Sequence, residues 1–297
     1  MDPTNVQEFL DEVSVLLPGS GEVIVYRGHE DRDFYLVPAV FRDGYGSKEH
    51  LLLSELISAH PLEFRDDTSA LERLVRVQHY DLPSRLLDVS WNPLVALYFA
   101  TAPKKGRRPA PPGARAKTEQ YEKDGQVILF KVSEHRVKYY DSDTVSCLAN
   151  LSRLKLEHKR ELKSAIKRPH DIYEQTSMKR LMHFIRSEKP AFLEEIVLPE
   201  LMSVFLVKPK QNNRRITAQS GAFFLVGLTE NLPEGGMDGI TIERITIPGE
   251  SKSAIRAQLA QLAINEKSMF PELDRAARYI KGSMTHAAIL SKSGANM

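Results

Sequence analysis

The chain has 297 residues, 42% of them hydrophobic and 27% charged, with a formal net charge of +2; this composition excludes a collagen-like, low-complexity or membrane-embedded chain and fits one large globular domain. Cys147 is the sole cysteine, which excludes an internal disulfide and any multi-cysteine metal site. The acidic N-terminus MDPTNVQEFLDEV lacks a signal-peptide pattern and no apolar run nears the ~20 residues of a membrane span, so a cytoplasmic protein without membrane contact is expected.

Apolar residues at helical spacing predict a helix over 6–17, and the β-branched run 22–26 predicts a strand ending at Arg27-Gly28. Helices follow over 51–60 and 71–80. Asp81-Leu82-Pro83 stops the second, because a residue before proline is pushed out of the α region and proline has no N–H. Asn92-Pro93 reads as an N-cap and first helical residue. The helix it opens, over 94–102, carries almost no polar side chain and must be buried on nearly all sides. Arg85, Asp88, Ser90 and Trp91 then fall in a connection pinned between two packed helices.

Residues 103–125 change character, with four prolines and six basic residues before the first acid at Glu119; an exposed, mobile insertion is predicted. Strands are predicted over 126–132, 202–207, 222–228 and 240–247. Between the first two, Leu151, Leu154, His158, Leu162 and Ile166 trace a helical stripe within a basic helical segment at 148–190. A short final helix is predicted over 274–280. This order neither alternates strand with helix nor runs strand after strand, which predicts an α+β domain: a mixed, mainly antiparallel sheet with flanking helices.

The stretch 75–100 carries the chemistry. It supplies Gln78, His79, Tyr80, Arg85 and Asp88 beside buried apolar surface, and small-molecule pockets are lined in that way. Charged groups held between packed helices must be paired or face a cleft. A structural role is equally consistent with single residues: Arg85 and Asp88 as an ion pair, Trp91 as a core anchor, His79 as a satisfied core histidine. Arg27 sits where a strand ends, and Gly28 would let a ligand approach the backbone. A planar guanidinium there suits phosphate or pyrophosphate oxygens.

Tyr26-Arg27-Gly28, then Gln78-His79-Tyr80-Asp81-Leu82-Pro83-Ser84-Arg85-Leu86-Leu87-Asp88, then Trp91-Asn92-Pro93-Leu94-Val95-Ala96-Leu97-Tyr98-Phe99-Ala100, resemble the FRG domain family, whose name comes from the Phe/Tyr-Arg-Gly motif. Arg215 to Phe223 resembles its later Gln-x-Gly-x-Phe segment, and Met269-Phe270-Pro271-Glu272-Leu273-Asp274 its closing motif. The resemblance spans roughly 21–282 of a single domain. Asp81 stands where the family usually has glycine, which bears on the backbone angles there.

The layout is also similar to ADP-ribosyltransferase-like proteins. That resemblance implies NAD as substrate, with Arg27 on the pyrophosphate, Tyr80 stacking or hydrogen-bonding, and Gln219 at the position that orients the nicotinamide ribose. His79 joins Arg27, Tyr80 and Gln219 as a catalytic candidate, and Tyr26, Arg27, Gly28, Gln78, Arg85 and Asp88 are the cofactor-binding candidates. Use as a toxin or antiphage effector is the expectation that accompanies it. Gln219 cannot act as a carboxylate.

Two other classes compete. Basic residues cluster in the insertion (Lys104, Lys105, Arg107, Arg108, Arg115, Lys117), over 153–168 and at Lys208, Lys210, Arg214 and Arg215. They allow a non-catalytic module that binds nucleotide, RNA or DNA. A metal-independent nuclease using His79 and Asp88 is the third. Motifs for P-loop kinases, dinucleotide dehydrogenases, zinc hydrolases and serine hydrolases are missing from the sequence.

Overall fold

Runs of Val, Ile, Leu and Phe bounded by Gly, Pro and Asn build the central sheet, because β-branched and aromatic side chains fill a pleated surface buried on both faces. The computed structural model describes residues 2–109, 118–166, 172–273, 275, 277 and 281. In chain order the helices are α1 (Val6–Ser14), α2 (Glu49–Ala59), α3 (Ala70–His79), α4 (Pro93–Ala100), α5 (Asp143–Asn150), α6 (Leu156–Ala165), α7 (Thr176–Glu188), α8 (Arg214–Ala218), α9 (Lys252–Gln261) and α10 (Glu266–Met269). The strands are β1 (Glu22–His29), β2 (Leu86–Ser90), β3 (Lys105–Pro109), β4 (Thr118–Glu122), β5 (Gly125–Ser133), β6 (Val137–Tyr139), β7 (Val204–Lys208), β8 (Gly221–Val226) and β9 (Ile240–Ile247).

Among the described residues seven strands form one sheet, in the order β6-β7-β8-β2-β1-β5-β9. Only β6 and β7 run parallel; the other neighbours are antiparallel. The expected α+β class and mainly antiparallel sheet are what the chain forms. Alternation along β1 and β2 sorts the core. Val25, Leu87 and Val89 join one cluster with Phe130 and Phe224. Tyr26 and Leu86 face the other way, into two helical clusters: α4 with α1 and α9 over β1, β5 and β9, and α3 with α5, α6 and α7 over β2, β7 and β8.

The seam between those clusters is where the sheet opens. β1 pairs with β5 along its whole length, from Glu22↔Ser133 to His29↔Gln126, and β2 pairs with β8 from Leu86↔Leu225 to Ser90↔Gly221. Between β1 and β2 the register holds a single pair, Tyr26↔Ser90. The two central strands diverge beyond it, which leaves backbone groups in mid-sheet for side chains to satisfy.

Three expectations change. Residues 86–90, read from sequence as a connection between helices, are the central strand β2; five residues flanked by proline and an N-cap were too short for alternation to reveal. The insertion is not a plain loop, since β3 and β4 pair from Lys105↔Glu122 to Pro109↔Thr118. That register sets Arg108 against Glu119 and Lys105 against Glu122, acids that follow the basic run in sequence but face it in space. Arg115, Lys117 and the rest of the tip lie outside the described residues. Thirdly, the stripe from Leu151 to Ile166 is a 3-10 turn at Leu151–Arg153, an extended Leu154 and then α6, because spacings of three and four suit both helix types. The helix expected over 274–280 falls largely outside the described residues.

The end of α3 explains Asp81. Leu82 N–H donates to the Val77 carbonyl at 3.0 Å and Asp81 N–H to that of Gln78 at 3.1 Å, the paired bonds of a Schellman turn, and Leu82 packs beside Val77. Its left-handed position falls on Asp81, at φ 60°, where a side chain is disfavoured and glycine is not. Asp81→Gly should therefore raise the unfolding free energy by about 0.5–1 kcal/mol, read as a higher urea midpoint at unchanged slope. The exposed Asp81–Arg275 pair at 3.7 Å that it removes contributes little.

Candidate functional site

Arg27 occupies the gap between β1 and β2. Its Nη1 donates to the Asp88 carbonyl at 2.6 Å, a β2 group that the diverging ladder leaves without a backbone partner, and its Nε donates to His29 Nε2 at 2.9 Å. His29 is buried; burial, with the Arg27 charge next, holds its imidazolium down to about 3. A neutral ring is what Arg27 needs, since only an unprotonated nitrogen can accept its N–H. Among the described residues Arg27 Nη2 makes no hydrogen bond, and the guanidinium borders a cavity of about 160 Å³.

Tyr26, Gly28, Asp88, Phe99, Arg215 and Gln219 share that cavity. Gly28 is there for packing. A Cβ on it would stand 1.9 Å from the Ala96 carbonyl and 2.6 Å from Ala100 N, so the helix that approaches its backbone is α4, where a ligand was expected. Asp88 is held by a relay in which Ser84 Oγ donates to Gln78 Oε1 and Gln78 Nε2 donates to Asp88 Oδ2 at 2.7 Å. Arg27 Nη1 lies 4.0 Å from the same oxygen. Gln219 comes from the end of α8; its Nε2 donates to the Met269 carbonyl at 3.0 Å, and its own carbonyl accepts from Ser90 Oγ at 2.7 Å.

Arg215 is the residue that sequence reasoning left in a surface patch. It borders this cavity, an adjoining space of about 220 Å³ with Gln78, His79 and Asp88, and a larger cleft of about 820 Å³. Its Nη1 donates to the His79 carbonyl at 3.0 Å and its guanidinium lies 4.7 Å from the Phe270 ring centre. The signal was present in the sequence: Arg215 opens the Gln-x-Gly-x-Phe segment and Phe270 lies in the closing motif, and the two segments meet at this pair, with Arg215 reaching the Arg27 cavity.

His79 stands beside Arg215. Asn213 caps α8 with its Oδ1, accepting from Arg215 N and Ile216 N, which turns its Nδ2 toward His79 Nδ1 at 3.0 Å. His79 Nδ1 therefore accepts and its proton sits on Nε2. Burial, then Arg215, holds its imidazolium down to about 4, so the ring is neutral at pH 7.

Two predicted site residues go elsewhere. Arg85 is 1% exposed and donates to Glu49 through Nε at 2.8 Å and Nη2 at 2.6 Å; a buried guanidinium takes the carboxylate that neutralises it, and the ligand cavity is out of its reach. Its expected partner Asp88 pairs with Arg27 instead. Tyr80, the C-cap of α3, is 62% exposed and borders the large cleft, away from the Arg27 cavity.

Several cations of the basic patches are paired. Lys104 meets Glu30 at 3.1 Å, Arg108 meets Glu119 at 2.5 Å and Lys210 meets Glu72 at 2.8 Å. Among the described residues no group of three or more His, Cys, Asp or Glu is placed to hold a metal ion, and no helix is long and apolar enough to cross a membrane.

Fold and site together define a mixed α+β domain whose central sheet splits around an arginine-walled cavity: two guanidinium groups, one carboxylate and one carboxamide against an apolar wall. The family model of the FRG domain matches residues 22–108, so the chain carries an FRG domain running from β1 to β3. The match takes in Tyr26-Arg27-Gly28 and the whole stretch from Gln78 to Ala100, whereas Arg215, Gln219 and Phe270 lie beyond it. Comparison with curated proteins returns no match, and neither does comparison with solved structures.

Proposed function

We propose that the Arg27 cavity binds NAD and cleaves its nicotinamide–ribose bond, transferring ADP-ribose to an acceptor or to water. The observation that carries this reading is the convergence of Arg27 from β1, Asp88 from β2, and Arg215 and Gln219 from α8 and its C-terminal end, on one cavity beside Phe99 and Tyr26. Two arginines suit a pyrophosphate, and the apolar wall suits a flat ring. The adjoining space that shares Asp88 and Arg215 extends the cavity for the rest of the dinucleotide.

In this reading the C1′–N bond breaks with its electron pair leaving on nicotinamide, whose positive charge is thereby neutralised. Asp88, held by Gln78, is the carboxylate that steadies the positive charge developing at C1′, and it takes the proton of the attacking water or acceptor. Gln219 Oε1 accepts from a ribose hydroxyl. Use as a toxin or antiphage effector would follow from depletion of NAD or modification of a target.

Nicotinamide release by wild-type protein and by Arg27→Ala tests the proposal. The variant is expected to lose at least 100-fold in rate, the scale on which a charge-stabilising group in a desolvated site acts, while keeping a cooperative melt. Release at the wild-type rate by folded Arg27→Ala would remove Arg27 from the site. Absence of release by the wild type, with nucleotide still bound, favours the non-catalytic module.

A further inference from the structure

We propose that the large cleft beside the Arg27 cavity is a binding site for single-stranded nucleic acid. The cleft, about 820 Å³, lies between the C-terminal end of α3, the start of α8 and the segment around 271–275. Its cations are not equivalent. Arg76 is held to Asp67 by two 2.7 Å hydrogen bonds, Arg215 is 3.9 Å from Glu272, and Arg275 is 3.7 Å from Asp81 while lying over the Phe270 ring at 5.1 Å. Arg214 is exposed and has no acidic partner among the described residues.

Tyr80 decides the class of ligand. It presents an aromatic ring at 62% exposure on the wall of the same cleft, next to Arg76, Arg214 and Arg215. An accessible ring among guanidinium groups is the arrangement that binds unpaired bases: bases stack on the ring while arginines follow the phosphates. A duplex hides its base faces and cannot use the ring. Arg214 also contrasts with Lys104, Lys105, Arg108 and Lys210, whose charges are taken up by neighbouring carboxylates. Because Arg215 borders both spaces, a strand held in the cleft ends beside the Arg27 cavity. Its use as the ADP-ribosyl acceptor rests on the NAD reading; its binding does not.

Fluorescence anisotropy of labelled oligo-uridylate and oligo-thymidylate with the full chain tests the site. Binding that weakens with salt is expected. Tyr80→Ala should raise Kd roughly 5- to 150-fold, the range for loss of one base–aromatic stack, whereas Tyr80→Phe should bind like the wild type. Arg214→Glu should raise Kd roughly tenfold and flatten the salt dependence. Both positions are exposed, so cooperative melting at the wild-type temperature verifies folding. The proposal is overturned by no binding at low salt, by wild-type affinity in both Tyr80→Ala and Arg214→Glu, or by duplex DNA or polyglutamate competing as well as the single strand. Arg27→Ala should bind the oligonucleotide normally. An NAD assay that stays negative while oligonucleotide binding behaves as described would dismiss the enzymatic reading and leave the nucleic-acid site standing.

Discussion

Glu49→Ala is expected to lower the unfolding free energy by about 3–5 kcal/mol, the largest single effect at a position remote from the cavity. Glu49 is 3% exposed and lies against two cations, Arg85 at 1% and Lys159 at 7%. Arg85 gives it two hydrogen bonds, at 2.8 and 2.6 Å, and Lys159 Nζ donates to its Oε2. These contacts tie β2 to α2 and α6. Burial by itself would raise the Glu49 carboxyl, but the Arg85 and Lys159 charges outweigh it and hold the group down to about 2. Its ionised form thus stabilises the fold fully above the ordinary carboxylate value of 4.5, and that contribution is lost as pH falls from there through about 2.

Truncation to alanine strands two buried charges without a counter-ion, and that desolvation dominates the loss. The comparison that tests this cause is the triple variant Glu49→Leu, Arg85→Met, Lys159→Leu, which removes all three charges at similar volume. It should recover most or all of the stability lost in Glu49→Ala. Urea melts in which the triple variant is less stable than Glu49→Ala would show that the ions contribute geometry that apolar packing cannot replace.

Gly28→Ala is the second large effect, on the order of 3 kcal/mol or more of stability, with loss of the cavity's shape. The added Cβ meets backbone on α4, 1.9 Å from the Ala96 carbonyl and 2.6 Å from Ala100 N, and backbone cannot rotate away as a side chain can. Gly125 on β5 faces the same helix, with a Cβ position 2.0 Å from the Ala100 carbonyl, so two neighbouring strands use glycine to let α4 lie flat on the sheet. Displacing α4 moves Val95, Ala96 and Phe99, which form the apolar wall opposite Arg27. A urea midpoint within experimental error of wild type, or unchanged ligand binding, would show that α4 can shift without cost. The glycine of Tyr26-Arg27-Gly28 is thus required by helix packing, and the arginine beside it by the gap between the strands.

Much of this architecture was legible along the chain. The strand over 240–247 has the limits that its alternation predicted, and Asn92-Pro93 starts α4 through the expected cap, Asn92 Oδ1 accepting from Leu94 N. Asp81 was visible as the odd residue at the end of α3, and its left-handed φ follows from the turn that it closes. Local rules suffice for these elements because caps, turns and alternation involve partners only a few residues away.

The pairing of charges was not legible. Arg85 and Asp88 are three residues apart and looked like partners, yet alternation along β2 and the fold around it send Arg85 to Glu49 and bring Asp88 to Arg27. β2 itself was hidden because five residues between strong helix signals carry too little periodicity, and it becomes a strand by pairing with β8, more than a hundred residues later. A still longer stretch of chain separates Arg27 from Arg215 and Gln219. The sequence by itself determined which residue types are available, where α3 stops and α4 starts, and which motifs mark an FRG domain. Only the tertiary structure decided which arginine faces the cavity, because a buried charge is assigned by the nearest counter-charge in space, and long-range strand pairing sets that distance.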